Sequence, residues 1–112
     1  MVHEKQLERG DVVCLDFCPQ AGTEMMGWHP ALIISPKSYN KRTSLITCCP
    51  ITSTIRNNPW EVRVPGGLPI QGAILTNQIK SLDRVARKAK FSCSLPPDTL
   101  EEVLYKIKLL VA

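Results

Sequence analysis

The chain has 112 residues, the size of one domain, here taken as 1–112, with a core but little depth for enclosed pockets. Its 44% hydrophobic and 21% charged composition excludes a disordered or low-complexity chain. Fourteen Lys and Arg against ten Asp and Glu leave a net charge of +4, mildly basic and compatible with a polyanionic partner.

The start, Met1-Val2-His3-Glu4-Lys5-Gln6, lacks the apolar run of a signal peptide. No stretch approaches the roughly 20 apolar residues that cross a membrane. The expected location is therefore cytoplasmic, with no membrane partner. Cys14, Cys18, Cys48, Cys49 and Cys93 are odd in number and contain no Cys-x-x-Cys pair, which argues against a disulfide framework. With only His3 and His29 to help them, neither a metal site nor a cofactor is expected. The cysteines read as small buried hydrophobes.

Nine prolines, most of them in the first two-thirds, leave room mainly for short segments and favour strands over long helices. Arg9-Gly10-Asp11 opens a strand over Val12 to Phe17, and Pro19 to Gly27 reads as a loop. Ala31-Leu32-Ile33-Ile34 is nearly all apolar, as expected of a strand buried on both faces. Ser35-Pro36 stops it, and Ser38-Tyr39-Asn40 turns once before a β-rich run from Ser44 to Cys49, ended by Pro50. Glu61-Val62-Arg63-Val64 alternates as a strand wet on one face does. Gly66-Gly67 turns, and Gly72 to Thr76 is a short buried strand. Asp83 to Arg87 is basic and ambiguous, and Ala89 to Cys93 forms a last strand.

Pro96-Pro97-Asp98 then opens a helix. Leu100, Val103, Leu104, Ile107, Leu110 and Val111 recur at three- and four-residue steps, an apolar stripe that closes the sheet. Glu101 and Glu102 come early, Lys106 and Lys108 late, as the helix dipole favours. The fold class is mainly β with a C-terminal helix: a small barrel or strongly curled antiparallel sheet.

The order of local signals resembles the MazF/PemK family of toxins. Arg9-Gly10-Asp11-Val12-Val13 with Asp16-Phe17, then Gly22-Thr23-Glu24, look like its first strand and long loop. Gly27-x-x-Pro30-Ala31-Leu32-Ile33-Ile34-Ser35-Pro36, Tyr39-Asn40, Cys49-Pro50-Ile51-Thr52-Ser53 and Pro59-Trp60-Glu61-Val62 follow in family order. Gly72 to Asp83 and Ala86-Arg87 complete the match, which runs from about Arg9 to the terminal helix. The resemblance implies an SH3-like barrel of the MazF/CcdB type, dimerising with its groove beside the interface. It further implies a toxin of a type II toxin–antitoxin system that cleaves single-stranded RNA, usually mRNA, at short sequences and without a metal. The implied partners are a second copy of the chain and an acidic antitoxin, with DNA reached only through the antitoxin.

Metal-free RNA cleavage uses the substrate's own 2′-hydroxyl. It needs help in moving two protons and a donor for the charge that grows on phosphorus. In the family, an arginine before the proline of the second strand shares this work with a threonine, which Thr52 matches. Here the arginine position is His29, in Trp28-His29-Pro30. An arginine clamps phosphate and stays charged, whereas an imidazole exchanges a proton near neutral pH. The substitution therefore exchanges electrostatic help for general-acid catalysis or else cripples the site. Ser53 beside Thr52, and Glu24 as orienting acid or base, complete the candidate catalytic set.

A further departure is Asn77, where relatives carry Asp, together with Leu75 where one branch carries Arg. That branch's chemistry is not available, but Asn77 and Gln78 can read unpaired base edges. Arg56, Lys80, Arg84 and Arg87 are candidates for phosphate contacts, and Trp28 for base stacking. Trp60, next to a strand and a proline, reads rather as core or interface. Two alternatives stay open: a catalytically impaired member that binds RNA or antitoxin, and a CcdB-like toxin that poisons gyrase by protein contact.

Overall fold

The computed structural model describes residues 5–17 and 27–112. Alternating apolar residues build a single antiparallel sheet. Its strands are β1 (Asp11–Asp16), β2 (Trp28–Ile33), β3 (Leu45–Thr52), β4 (Glu61–Arg63), β5 (Ala73–Leu75), β6 (Lys80–Asp83) and β7 (Lys90–Ser94). Helix α1 (Lys37–Arg42) links β2 to β3, and α2 (Pro97–Val111) follows β7. The strand order is β4-β5-β3-β2-β1-β7, with β6 also on β3.

The expected double-sided burial of the central strands is present. Val12, Leu32, Cys49 and Ile74 face one cluster, completed by Val103 and Ile107 of α2. Val13, Leu15, Phe17, Ala31, Ile33 and Cys48 face a second, on the opposite side of the pleat. Neighbours along one strand therefore alternate between two cores. Cys48 and Cys49 are buried, as expected of small hydrophobes, whereas Cys14 and Cys93 are only partly buried and Cys18 lies outside the described residues.

Several boundaries differ from the sequence reading. β2 begins at Trp28 rather than Ala31, so Trp28 and His29 lie on a strand and not in a loop. β3 passes through Pro50 to Thr52. Its outer edge is shared: residues Leu45 to Cys48 pair with β6, and Ile51 and Thr52 pair with β5. Pro50 falls between those two partners, where that edge needs no N–H from it. Lys80 to Asp83, left unassigned in the sequence, is a strand because β3 offers it an open edge.

The single turn expected at Ser38-Tyr39-Asn40 is a short helix. Asn40, buried, accepts from the Ser35 hydroxyl and donates to Leu7 O at 3.0 Å and Ser35 O at 3.1 Å. One amide thus ties the N-terminal arm and the exit of β2 to α1. Asp11, also buried, accepts from Glu8 N–H at 3.0 Å and from the Ser94 hydroxyl at 3.1 Å.

The stripe on α2 only partly closes the sheet. Val103 and Ile107 are buried and Leu100 packs against the core, but Leu110 and Val111 are 44% and 71% exposed. Lys106 anchors the helix through Nζ to Pro59 O at 2.7 Å and Glu61 O at 3.2 Å. Past Ile107 the last turn leaves Leu109, Leu110 and Val111 exposed, and Tyr105 is exposed as well.

Candidate active site

The β1–β2 pairing places His29 opposite Leu15, on the face that carries Phe17. Phe17 is buried, and its ring meets the imidazole edge-on, with centroids 6.0 Å apart and planes at 85°. Lys80 Nζ sits 5.7 Å from the same Phe17 centroid. One aromatic ring therefore neighbours both an imidazole and an ammonium. An ammonium near the face of an aromatic ring is attracted by the ring quadrupole, which helps hold it there.

Arg87 reaches the same end of the sheet. Its guanidinium donates to Asp16 O at 3.2 Å, and its own carbonyl accepts from Asp16 N–H at 3.0 Å. The Cys48 thiol beneath reports both cations. Burial pushes its pKa up to about 12, while Lys80 and Arg87 act in the opposite direction. The thiol is thus protonated at neutral pH and a poor nucleophile.

Thr52 arrives from β3. The last β2–β3 pair is Ala31 with Pro50. Carried two residues further, that register sets His29 opposite Thr52, on the pleat face of Ala31 and Pro50. The β2–β3 ladder ends at Ala31 and Pro50, while His29 pairs with Leu15 and Thr52 with Ala73 on their other edges. His29 and Thr52 flank this end of the ladder, the notch between β2 and β3. Thr52 Oγ1 accepts the Thr54 N–H at 3.1 Å, which leaves the hydroxyl's own proton to donate elsewhere. Gly72 closes against this residue from β5's side: at φ +130°, a Cβ there would lie 2.2 Å from Thr52 O.

The remaining predicted residues distribute unevenly. Ser53 and Arg56 are exposed in the segment after Thr52. That segment is shaped by Glu61, whose carboxylate accepts the backbone N–H groups of Arg56 and Asn57. Asn77 and Gln78 are exposed on the connection from β5 to β6, beside the middle of β3 and just before Lys80. Trp28 is 50% exposed, but on the pleat it leaves from the face opposite His29. Trp60 is half-buried, and its carbonyl accepts the buried Thr76 hydroxyl at 2.6 Å.

Arg84 is not brought to this cluster. Its guanidinium donates to Asn40 O at 3.3 Å and Thr43 O at 3.2 Å, at the other end of β6. Glu24 lies outside the described residues. Among the described residues no group of three or more His, Cys, Asp and Glu is placed to hold a metal ion. The sequence reading missed Phe17 as the platform of the site. The signal was its period-two spacing from Val13 and Leu15, readable only once β1 is known to pair with β2.

Residues 8–111 match the family described as PemK-like, MazF-like toxin of type II toxin-antitoxin system. The chain is 34% identical over 111 residues to the endoribonuclease toxin MazF of Escherichia coli K12, covering 99% of each chain. The structure superposes on the crystal structure of MazF from Deinococcus radiodurans with a TM-score of 0.90 and 39% identity, over 96% of this chain and 98% of that one. A MazE-MazF crystal structure from the same organism matches with a TM-score of 0.88 and 39% identity, covering 96% and 97%. A 104-residue match to a 112-residue chain, with close superposition on those structures, identifies the chain as a member of the PemK-like, MazF-like family of type II toxins.

Proposed function

We propose that this chain is an endoribonuclease toxin that cuts single-stranded RNA by way of the substrate's 2′-hydroxyl, without a metal ion. The 2′-hydroxyl loses its proton to solvent water, its oxygen attacks the adjacent phosphorus and the bond from phosphorus to the 5′-oxygen breaks, leaving a cyclic phosphate and a 5′-hydroxyl. His29 protonates the departing 5′-oxygen as general acid. Thr52 donates to a phosphate oxygen as charge builds there, with Ser53 next to it. Lys80 and Arg87 hold the flanking phosphates, and Asn77 and Gln78 meet base edges.

The observation that supports this reading is the register of β2 and β3, which, extended past Ala31 and Pro50, keeps His29 and Thr52 on one face at the notch, with His29 and Lys80 each near the Phe17 ring. The notch contains a proton donor, a hydroxyl donor and cations, the inventory this chemistry requires. Relatives of known structure are found with an antitoxin, and an acidic antitoxin segment laid over these cations accounts for inhibition in this chain. A second copy of the chain covers the exposed apolar end of α2, giving a homodimer. The toxin works in the cytoplasm and meets DNA only through its antitoxin. No helix among the described residues is long and apolar enough to cross a membrane.

The test is cleavage of a long single-stranded RNA in the presence of a chelator, with the cut ends mapped. His29→Ala is expected to lower the rate by about 10²–10⁴-fold, the range for a lost general acid. The wild-type rate is expected to fall as pH rises, because a general acid must carry its proton. A rate that is flat with pH and survives His29→Ala removes the assignment. Intact RNA with retained binding supports the impaired-member reading instead.

A further inference from the structure

A second basic feature lies away from the notch. A cleft of about 430 Å³ opens between the N-terminal arm, α1, the 84–88 turn and β7. Lys5, Asn40, Lys41, Arg84, Lys90 and Phe91 line it, and among the described residues no carboxylate belongs to its wall. Lys5 is neutralised from behind by Asp11 at 3.0 Å and Glu8 at 3.6 Å. Its Nζ also sits 4.9 Å from the centroid of the Phe91 ring, which helps to set that ring's position. Arg84 lies near the Asp83 carboxylate, which offsets part of its charge. Its guanidinium spans the carbonyls of Asn40 and Thr43, which are neutral acceptors. Lys41 and Lys90 are exposed and make no ion pair among the described residues.

Phe91 is 41% exposed in the midst of these cations. Cations for phosphates and an aromatic face for an unpaired base are together the equipment for single-stranded nucleic acid. An acidic peptide would use the cations and leave the ring idle. The cleft also connects with the notch: Arg84 and Arg87 belong to one turn, and three residues span at most about 11 Å. Arg87 stands at the His29 end and Arg84 in the cleft.

We propose that this cleft is a distal binding site for single-stranded RNA, in which Lys41, Arg84 and Lys90 take phosphates and Phe91 stacks a base beyond the cut bond. This rests on the RNA-cleavage reading above. The cleft lengthens the footprint on substrate and leaves the chemistry to the notch, so its contribution depends on how far the RNA extends.

The test uses the full chain with Lys41→Gln and Lys90→Gln combined, and separately Phe91→Leu. Binding of a long single-stranded RNA is followed through a salt series. The cleavage rate of an oligoribonucleotide too short to reach the cleft serves as reference. The double variant is expected to bind the long RNA about tenfold more weakly, with a salt slope shallower by about 1.4, roughly 0.7 for each lost phosphate contact. Phe91→Leu is expected to weaken binding by about fivefold or more with the slope unchanged, since stacking releases no counterions. The short RNA is cut as before in all variants. Long-RNA affinities and slopes equal to wild type, with the short RNA still cut, overturn the cleft alone. Loss of binding to an acidic antitoxin peptide with RNA binding intact assigns the cleft to that partner and also overturns it. Wild-type protein that neither binds nor cuts either RNA overturns the cleft together with the activity it rests on.

Discussion

The contact between Gly72 and Thr52 offers a way to move the candidate site without touching its chemistry. Gly72 has φ +130°, and an added Cβ would lie 2.2 Å from Thr52 O and 3.0 Å from Thr52 C. Both atoms are backbone and cannot swing aside as a flexible side chain would. Restoring an ordinary C···O separation of about 3.3 Å asks the Thr52 carbonyl to retreat by about 1 Å. In Gly72→Ala, that overlap and the unfavourable φ together are expected to cost about 1–3 kcal/mol. At roughly 2.1 cal/mol/K per residue of unfolding entropy, this lowers Tm by about 4–13 °C. A displacement of about 1 Å at a catalytic group costs on the order of 10²-fold in rate. The assay is therefore paired: thermal unfolding, and kcat/KM on a short single-stranded RNA well below the new Tm. A lowered Tm with an unchanged kcat/KM would show that Thr52 is not in the site. Both quantities unchanged would refute the steric reasoning itself.

Two further expectations concern titratable groups. Burial pushes the Cys48 and Cys49 thiols up to about 12, so at about pH 8 they hold a negligible fraction of the reactive thiolate. Alkylation followed by mass spectrometry is expected to leave both unmodified in the folded chain and to modify both in denaturant; rapid native modification would contradict their placement. Asp83 accepts the Ala86 and Val85 N–H groups at 3.0 Å each, with the Ser44 hydroxyl and Arg84 adding to them, and its carboxyl is held below the ordinary 3.8. A lowered folded-state value stabilises the fold at pH above that ordinary value, and the stabilisation is lost as pH falls through the folded one. Wild type is thus expected to exceed Asp83→Asn in urea midpoint at neutral pH and to converge with it in acid; a constant gap at all pH values would exclude the charge as the cause.

The exposed end of α2 separates the two sources of information. The three- and four-residue steps from Leu100 to Val111 were enough to place the helix, because periodicity is a local property. They could not say that Leu110 and Val111 would stay exposed, since that depends on where Lys106 meets Pro59 and Glu61. The same division holds for proline. Pro50 reads as a stop in sequence, yet β3 continues through it because the partner strands change there.

By itself the sequence determined the mainly β class, the doubly buried central strands, the terminal helix, the family resemblance and His29 and Thr52 as candidates. Each of these rests on residue type and short-range spacing. Only the tertiary structure decided that the β2–β3 ladder ends at Ala31 and Pro50, just short of those two residues. It also put Lys80 and His29 on one ring at Phe17, and sent Arg84 to a separate cleft with Lys41, Lys90 and Phe91. Those are long-range juxtapositions set by strand register and the curl of the sheet. No spacing along the chain encodes them, because the residues involved meet only after non-neighbouring strands have paired.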